Sequence, residues 1–310
     1  LLLFFLSSDP IEQALRENMP TGFDMEPRLA AVLEHAVSHP GKLVRARLVY
    51  AAVLQHAGGE GRALQLACAV EYYHLSSLLL DDLPCMDDAQ TRRGYACPHI
   101  SHGEAPTILA ALALINRAYA LAGFALSDQT APMRLSAMAC LDSCLGVPGL
   151  VGGQAHDLAY AQSDRSVRRV GRIAAGKTGA LFWLAVYFPA LVARPNADEA
   201  RQLKALCIYW GRAFQALDDL GDIATTERNA EPNKTNGRDQ ALDRPNLALV
   251  MGVPATRRRV GQLLRQAKRA LTRLVSQRSD WVYLQNFHRE CFAAKASGGR
   301  SSAPVKAVAA

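Results

Sequence analysis

Apolar residues recur along this chain at three- and four-residue spacing, the period of one face of an α-helix. The segments PRLAAVLEHAV, VRARLVYAAVLQHA, ALQLACAVEYYHLSSLLL, APTILAALALINRAYALAGFAL, MRLSAMACLDSCL, LKALCIYWGRAFQALDDLGD and RRRVGQLLRQAKRALTRLVSQ all read as helices. No segment alternates apolar and polar residues for long, so no substantial strand is expected. Breaks are expected at Pro40-Gly41, Gly58-Gly59, Pro84, Pro148-Gly149, Gly152-Gly153 and the stretch AEPNKTNGRDQALDRPN. Several helices are apolar nearly all round, which places them inside a bundle. The pattern predicts an all-α fold with one domain over residues 1–310. Residues 1–8 and 297–310 are expected to be disordered ends, the second within the tail ASGGRSSAPVKAVAA.

Polar residues interrupt this pattern most sharply in LLLDDLPCMDDAQTRRG, Leu78 to Gly94. Asp81 and Asp82 close a helix, and Pro84 then removes a backbone donor and breaks it. On an unbroken helix Asp81 and Asp87 would point about 240° apart. With the break, the chain can fold back and bring Asp87 or Asp88 towards Asp81. Hard oxygen donors with no Cys or His among them suit Mg2+ better than zinc. A second cluster, FQALDDLGD, puts Gln215, Asp218 and Asp222 on one helix face. Carboxylates on an otherwise apolar stripe must be neutralised or solvated. Two such clusters across a cavity would hold metal ions around one diphosphate.

Cations stand where that arrangement would need them. Arg92 and Arg93 follow the first cluster, Lys42 and Arg45 share a helix face with Arg47 nearby, and Lys177 sits in GKTG. Each alone is what a solvated surface carries. As a set they could bind two diphosphates, one through metal and one through Lys and Arg alone.

Composition narrows the classes. A chain of 310 residues, 50% of them hydrophobic, can bury one large core. The net charge of +7 is uneven, because Met251–Ala310 holds twelve Lys/Arg against two Asp/Glu. Without aromatic interleaving, that region reads as a solvated helix face and not as a nucleic-acid site. Seven scattered cysteines argue against a disulfide framework and for a reducing cytoplasm. Cys97, His99 and His102 match no common zinc spacing. The opening LLLFFL is too short to span a bilayer, and no clean run of about 20 apolar residues is seen, so no transmembrane segment is expected.

Together DDLPCMDDAQTRRG, FQALDDLGD, GKLVRAR, GKTG and GGQAHDL resemble the trans-isoprenyl diphosphate synthases, from about Gly41 to Asp239. The first motif with the following HISHGE is most similar to bacterial geranylgeranyl diphosphate synthases. The resemblance implies an all-α bundle around a deep central cavity, a homodimer, and three Mg2+ per active site. It implies metal ligands at Asp81, Asp87 and Asp218, supported by Asp82, Asp88, Asp219 and Asp222. It places the allylic diphosphate (dimethylallyl, geranyl or farnesyl) against Arg92, Lys177, Gln215 and Lys234. Isopentenyl diphosphate would sit on Lys42, Arg45, His74 and Arg93, with Asp81, Asp82, Lys177 and Asp218 central to catalysis. Gln154 and Asp157 match the family's GGQxxDL. The diphosphate would leave with its charge stabilised, and a dry cavity would shield the allylic cation from water until isopentenyl diphosphate attacks it. One departure stands out: Arg244-Pro245-Asn246 occupies roughly the place of the family's second lysine motif.

Product length has a local argument. Ser76 and Ser77 lie one turn below Asp81 and leave a tunnel open, and Tyr72 and Tyr73, one turn deeper, would floor it at C20. Competing readings are a C15 synthase, a class I terpene cyclase, or a non-catalytic partner subunit. The cyclase would normally lack DDLGD, and the partner subunit would be expected to have lost an aspartate motif.

Overall fold

The computed structural model describes residues 9–56, 58–227 and 244–296. Lys234 and the two expected disordered ends lie outside these described residues. The chain forms α1 (Pro10–Glu17), α2 (Pro27–Ser38), α3 (Val44–Gln55), α4 (Glu60–Asp81), α5 (Pro98–His102), α6 (Glu104–Ala125) and α7 (Ala131–Leu145). Then follow α8 (Leu150–Leu158), α9 (Val167–Ala174), α10 (Ala180–Ala190), α11 (Ala197–Glu227), α12 (Leu247–Met251), α13 (Val253–Gln277) and α14 (Val282–Ala296). A two-residue hairpin pairs β1 (Thr91–Arg92) with β2 (Tyr95–Ala96).

Caps and breakers explain the helix ends. Asp9 accepts from Ile11 N with Pro10 in the first turn, and Glu26 does the same for Leu29 N ahead of Pro27. Gly59 lies at φ 76°, a conformation that only glycine adopts without strain, and separates α3 from α4. α4 is central and packs on α1, α3, α6 and α10. It therefore buries Leu66, Val70, Tyr72, Leu75 and Leu79 in directions that a single amphipathic stripe could not satisfy. α10 buries Leu181, Phe182, Leu184, Val186 and Phe188. α11 lies between α10 and α13. A smaller apolar cluster of Tyr160, Val170, Ile173, Ala216, Leu247 and Val260 joins α9, α11, α12 and α13.

Three expectations change. Gly152-Gly153 does not break the chain but lies inside α8. The hairpin was not expected, because Arg93 and Gly94 at φ 56° and 85° make a two-residue turn too short to leave a periodic signal. Among the described residues three stretches, Glu104–Ala125, Ala131–Leu158 and Val167–Ala193, are long and apolar enough to cross a membrane by length and composition alone, which is not evidence that they do. Here they are partly buried in the bundle, and α6 carries Asn116 and Arg117 at mid-length.

Cavities among the described residues include these two. One of about 530 Å³ lies between α13 and α14, lined by Leu264, Leu271, His288 and Phe292 among others. The other, about 40 Å³, lies beside His39, Asp82, Arg92 and Arg93. Neither is lined by Tyr73, Ser76 or Ser77.

Candidate active site

The fold-back after α4 is built by backbone bonds. Asp87 N donates to Asp81 O at 3.0 Å, Asp88 N to Leu83 O at 3.0 Å and Ala89 N to Asp82 O at 3.0 Å. Asp88 turns the chain at φ 48° and is exposed. Asp81 and Asp87 are thereby brought together, as the proline break led one to expect. Burial, then the charge of Asp81, raises the Asp87 carboxyl above its ordinary range, while Lys177 and Arg244 oppose the rise.

Asp81 Oδ1 accepts from Gln154 Nε2 and, at 3.1 Å, from Lys177 Nζ. Lys177 also donates to Asp157 Oδ2 at 2.9 Å. Burial alone would lower the Lys177 ammonium, but Asp81, Asp157 and Asp87 raise it, so it stays charged. GGQAHDL thus acquires a definite place: Gln154 and Asp157 hold Asp81 and its lysine.

Lys177 lies in a π-helical turn, Ala175–Gly179. Such turns recur at functional sites because the extra residue re-aims the side chains. The next residue, Thr178, donates to Gln215 Oε1 at 2.9 Å, and Gln215 Nε2 donates to Asp219 Oδ1 at 3.0 Å. One short turn therefore touches both aspartate motifs. Glycines permit the approach. A Cβ on Gly153 would lie 2.4 Å from Lys177 N, and one on Gly211 would lie 2.6 Å from Gly179 Cα.

Some expected roles shift. Asp82 is 2% exposed and is gripped on both oxygens by Arg92. Asp219 is 1% exposed, with Gln215 on one oxygen and Leu247 N on the other at 2.8 Å. These two carboxylates, expected in support of the metal ligands, anchor the loop and the helix. Arg92 and Gln215, expected on the allylic diphosphate, are the partners that hold them. Asp218 and Asp222 are half-buried on α11.

Among the described residues no three His, Cys, Asp or Glu side chains already form a metal cage. The carboxylates Asp81, Asp87 and Asp157 nevertheless converge, and two cations, Lys177 and Arg244, hold them. Hard, mutually repelling oxygens of this kind fit Mg2+.

The second group of cations is built around α4 and the hairpin. Arg45 Nη1 lies 3.3 Å from His74 Nε2, and its guanidinium stands 5.5 Å from the centre of the Phe182 ring. Arg93 donates to His39 O at 2.5 Å, with its guanidinium packed over Gly41. Lys42 is exposed on the same turn. Glu71, 1% exposed and three residues before His74, escaped the sequence reading although it is a charge within the apolar run ALQLACAVEYY. Burial pushes its carboxyl up to about 7 against the pull of Arg45 and Arg93.

Burial, then Arg45, Arg93 and Arg92, hold the His74 imidazole well below its ordinary value. It is neutral at pH 7 and accepts from Arg45, so its proton sits on Nδ1. The unfolded chain takes up a proton near pH 6.5 that the folded chain refuses. This contribution to stability is complete above pH 6.5 and is lost as pH falls below it. Glu71, raised to about 7, adds a slope of opposite sign over the same range, so the His74 proton is read as a difference. From about pH 7 to 5.5 urea melts should show wild type losing up to ~1.4 kcal/mol more per pH unit than His74→Asn. Equal slopes in the two proteins would refute it.

A family model described as polyprenyl synthetase matches residues 26–277. A geranylgeranyl diphosphate synthase from Pseudescherichia vulneris is 34% identical over 251 residues, covering 80% of this chain and 79% of its own. A second, from Pantoea ananas, is 34% identical over 265 residues and 84% of each chain. Among solved structures, an apo FPP/GFPP synthase from Zymomonas mobilis aligns with a TM-score of 0.76 at 29% identity, over 90% of this chain and 94% of that one. A geranyltransferase from Helicobacter pylori, complexed with magnesium and isoprenyl diphosphate, shares the fold at a TM-score of 0.80 and 22% identity, over 91% of this chain and 94% of that one.

Proposed function

Since the chain belongs to the polyprenyl synthetase family and is a trans-prenyltransferase, we propose that it condenses isopentenyl diphosphate with an allylic diphosphate, with Mg2+, mainly to geranylgeranyl diphosphate. The observation that carries this reading is the π turn that joins Asp81 to the DDLGD helix through Lys177 and Thr178. When bound, Mg2+ supplies charge stabilisation for the departing diphosphate. Asp81, Asp87 and Asp218 would hold it. Lys177 adds a fixed positive charge beside the leaving group. Arg45, His74 and Arg93, grouped around the buried Glu71, take the second diphosphate without metal. Apolar residues exposed on α6 and α7, among them Leu109, Leu112, Phe124 and Leu135, support a homodimer.

The ruler for product length is revised. Tyr72 donates its hydroxyl to Leu15 O at 2.5 Å and so is committed to α1. Tyr73 is buried edge-to-face against Tyr119 of α6, their ring centres 5.3 Å apart. Its hydroxyl has no partner among the described residues. Ser76 and Ser77 turn their hydroxyls back on Tyr73 O and His74 O, which leaves their outer surfaces apolar. Tyr73 with Tyr119 is thus the floor that we assign. Ser77→Phe should shift the product of isopentenyl diphosphate plus dimethylallyl or geranyl diphosphate towards C15, and Tyr73→Ala should release longer chains. Tyr72→Ala should leave length unchanged while costing ~3–5 kcal/mol of stability. Reversed-phase analysis of the dephosphorylated products decides. Wild-type length in folded Ser77→Phe and Tyr73→Ala would place the ruler on another helix.

A further inference from the structure

Asp87 draws its counter-ion from far along the chain. Arg244 Nη2 donates to Met86 O at 2.6 Å and to Asp87 Oδ1 at 2.8 Å. The Arg244 side chain is only 11% exposed, and its Nε is buried without a partner among the described residues. The residues that follow are pinned to the other motif. Asn246 caps α12 by accepting from Ala248 N and Leu249 N, and its Nδ2 donates to Asp219 O at 3.4 Å. Leu247 N donates to Asp219 Oδ2, and the Leu247 side chain enters the small apolar cluster with Ala216 and Val260. Pro245 between them stiffens the backbone. Four consecutive residues thus tie the DDLGD helix to the first aspartate loop.

We propose that Arg244 is a displaceable counter-ion, competing with a divalent cation for Asp87. The proposal rests on the reading of the first motif as a metal site. A guanidinium and a divalent cation on one carboxylate oxygen repel each other, and the repulsion is little screened where the Arg244 side chain is only 11% exposed. Lys177 answers to two carboxylates and is held fast, whereas Arg244 has one carboxylate and one carbonyl. Arg244 is therefore the cation that yields. Because Asn246 and Leu247 stay fixed on Asp219, its release needs only side-chain rotation. A purely structural ion pair makes a different forecast: its loss would weaken the folded protein and bring no gain in ion binding.

The test uses the full chain stripped with EDTA and titrated with Mn2+ alone, the free ion being read by electron paramagnetic resonance. A site blocked about nine-tenths of the time binds about tenfold more weakly than the open site. Arg244→Gln should therefore bind Mn2+ about five- to tenfold more tightly than wild type while melting at a lower temperature in EDTA. Arg244→Lys keeps a point charge but cannot fork to both Met86 O and Asp87. Its affinity should lie between the two, about two- to threefold tighter than wild type, and it carries the test if the glutamine variant fails to fold. Equal or weaker Mn2+ binding in the folded variants, or no uptake by any of the chains, overturns the proposal. No isoprenoid enters the assay, so that failure would leave the prenyl-transfer reading standing. Conversely, a protein that forms no prenyl product could still show the affinity shift.

Discussion

Turnover should fall at least about 100-fold when Asp81 is replaced by alanine, the scale of losing a main electrostatic stabiliser. Asp81 is the convergence point of the site. Its carboxylate receives Gln154 and Lys177, and its charge acts on Asp87. It also ends α4, where the helix dipole already favours cations. Alanine removes one of the proposed metal ligands and one of the two carboxylates that hold the Lys177 ammonium. The fold should survive, because the fold-back is made by Asp81 O and not by its side chain. Asp218→Ala should lose activity to a similar extent from the opposite motif. Steady-state rates with saturating Mg2+ and both diphosphates decide the matter. Rates within a few-fold of wild type in either folded variant would remove the metal role from that residue.

Gly153→Ala should be nearly as damaging, although it changes no side chain that could touch a substrate. The added Cβ would sit 2.4 Å from Lys177 N, 2.7 Å from Gly176 C and 3.0 Å from Lys177 Cα. All three neighbours are backbone atoms, so no side-chain rotation relieves the clash. α8 must move off the π turn, and Lys177 must then part from Asp81, Asp157 or both. Overpacking of this kind costs ~1–3 kcal/mol. Displacing a catalytic group by about 1 Å can cost about 100-fold in rate. Thermal melts and initial rates on the same preparation separate the two effects. Gly123→Ala is the control, since a Cβ there meets nothing within 4 Å. A Gly153→Ala enzyme with wild-type stability and rate would mean that the α8 contact does not position Lys177.

Local chemistry was legible in the sequence. The 3.6-residue period placed the long helices, because burying one face is a property of the helix itself. Pro84 ended α4 and foretold the return of Asp87 to Asp81, since a missing donor and a ring clash act within one turn. The aspartate motifs and the lysine of GKTG marked the site for the same reason: charge on apolar helices must be answered nearby.

What the sequence did not show are contacts between elements remote along the chain. Asp82 and Asp219 look like their neighbours in DD motifs, but packing buries them against Arg92 and Leu247 N. Tyr72 and Tyr73 are adjacent, yet 100° of helix rotation sends one to Leu15 and the other to Tyr119. Gly152-Gly153 reads as a break by local propensity, but α8 tolerates it because a bare backbone lets α8 lie against Lys177. Arg244 reaches Asp87 across 157 positions only because Asn246 and Leu247 are moored on Asp219. Propensity and periodicity act over one or two turns. The angles at which finished helices pack decide which of the exposed-looking charges and rings meet.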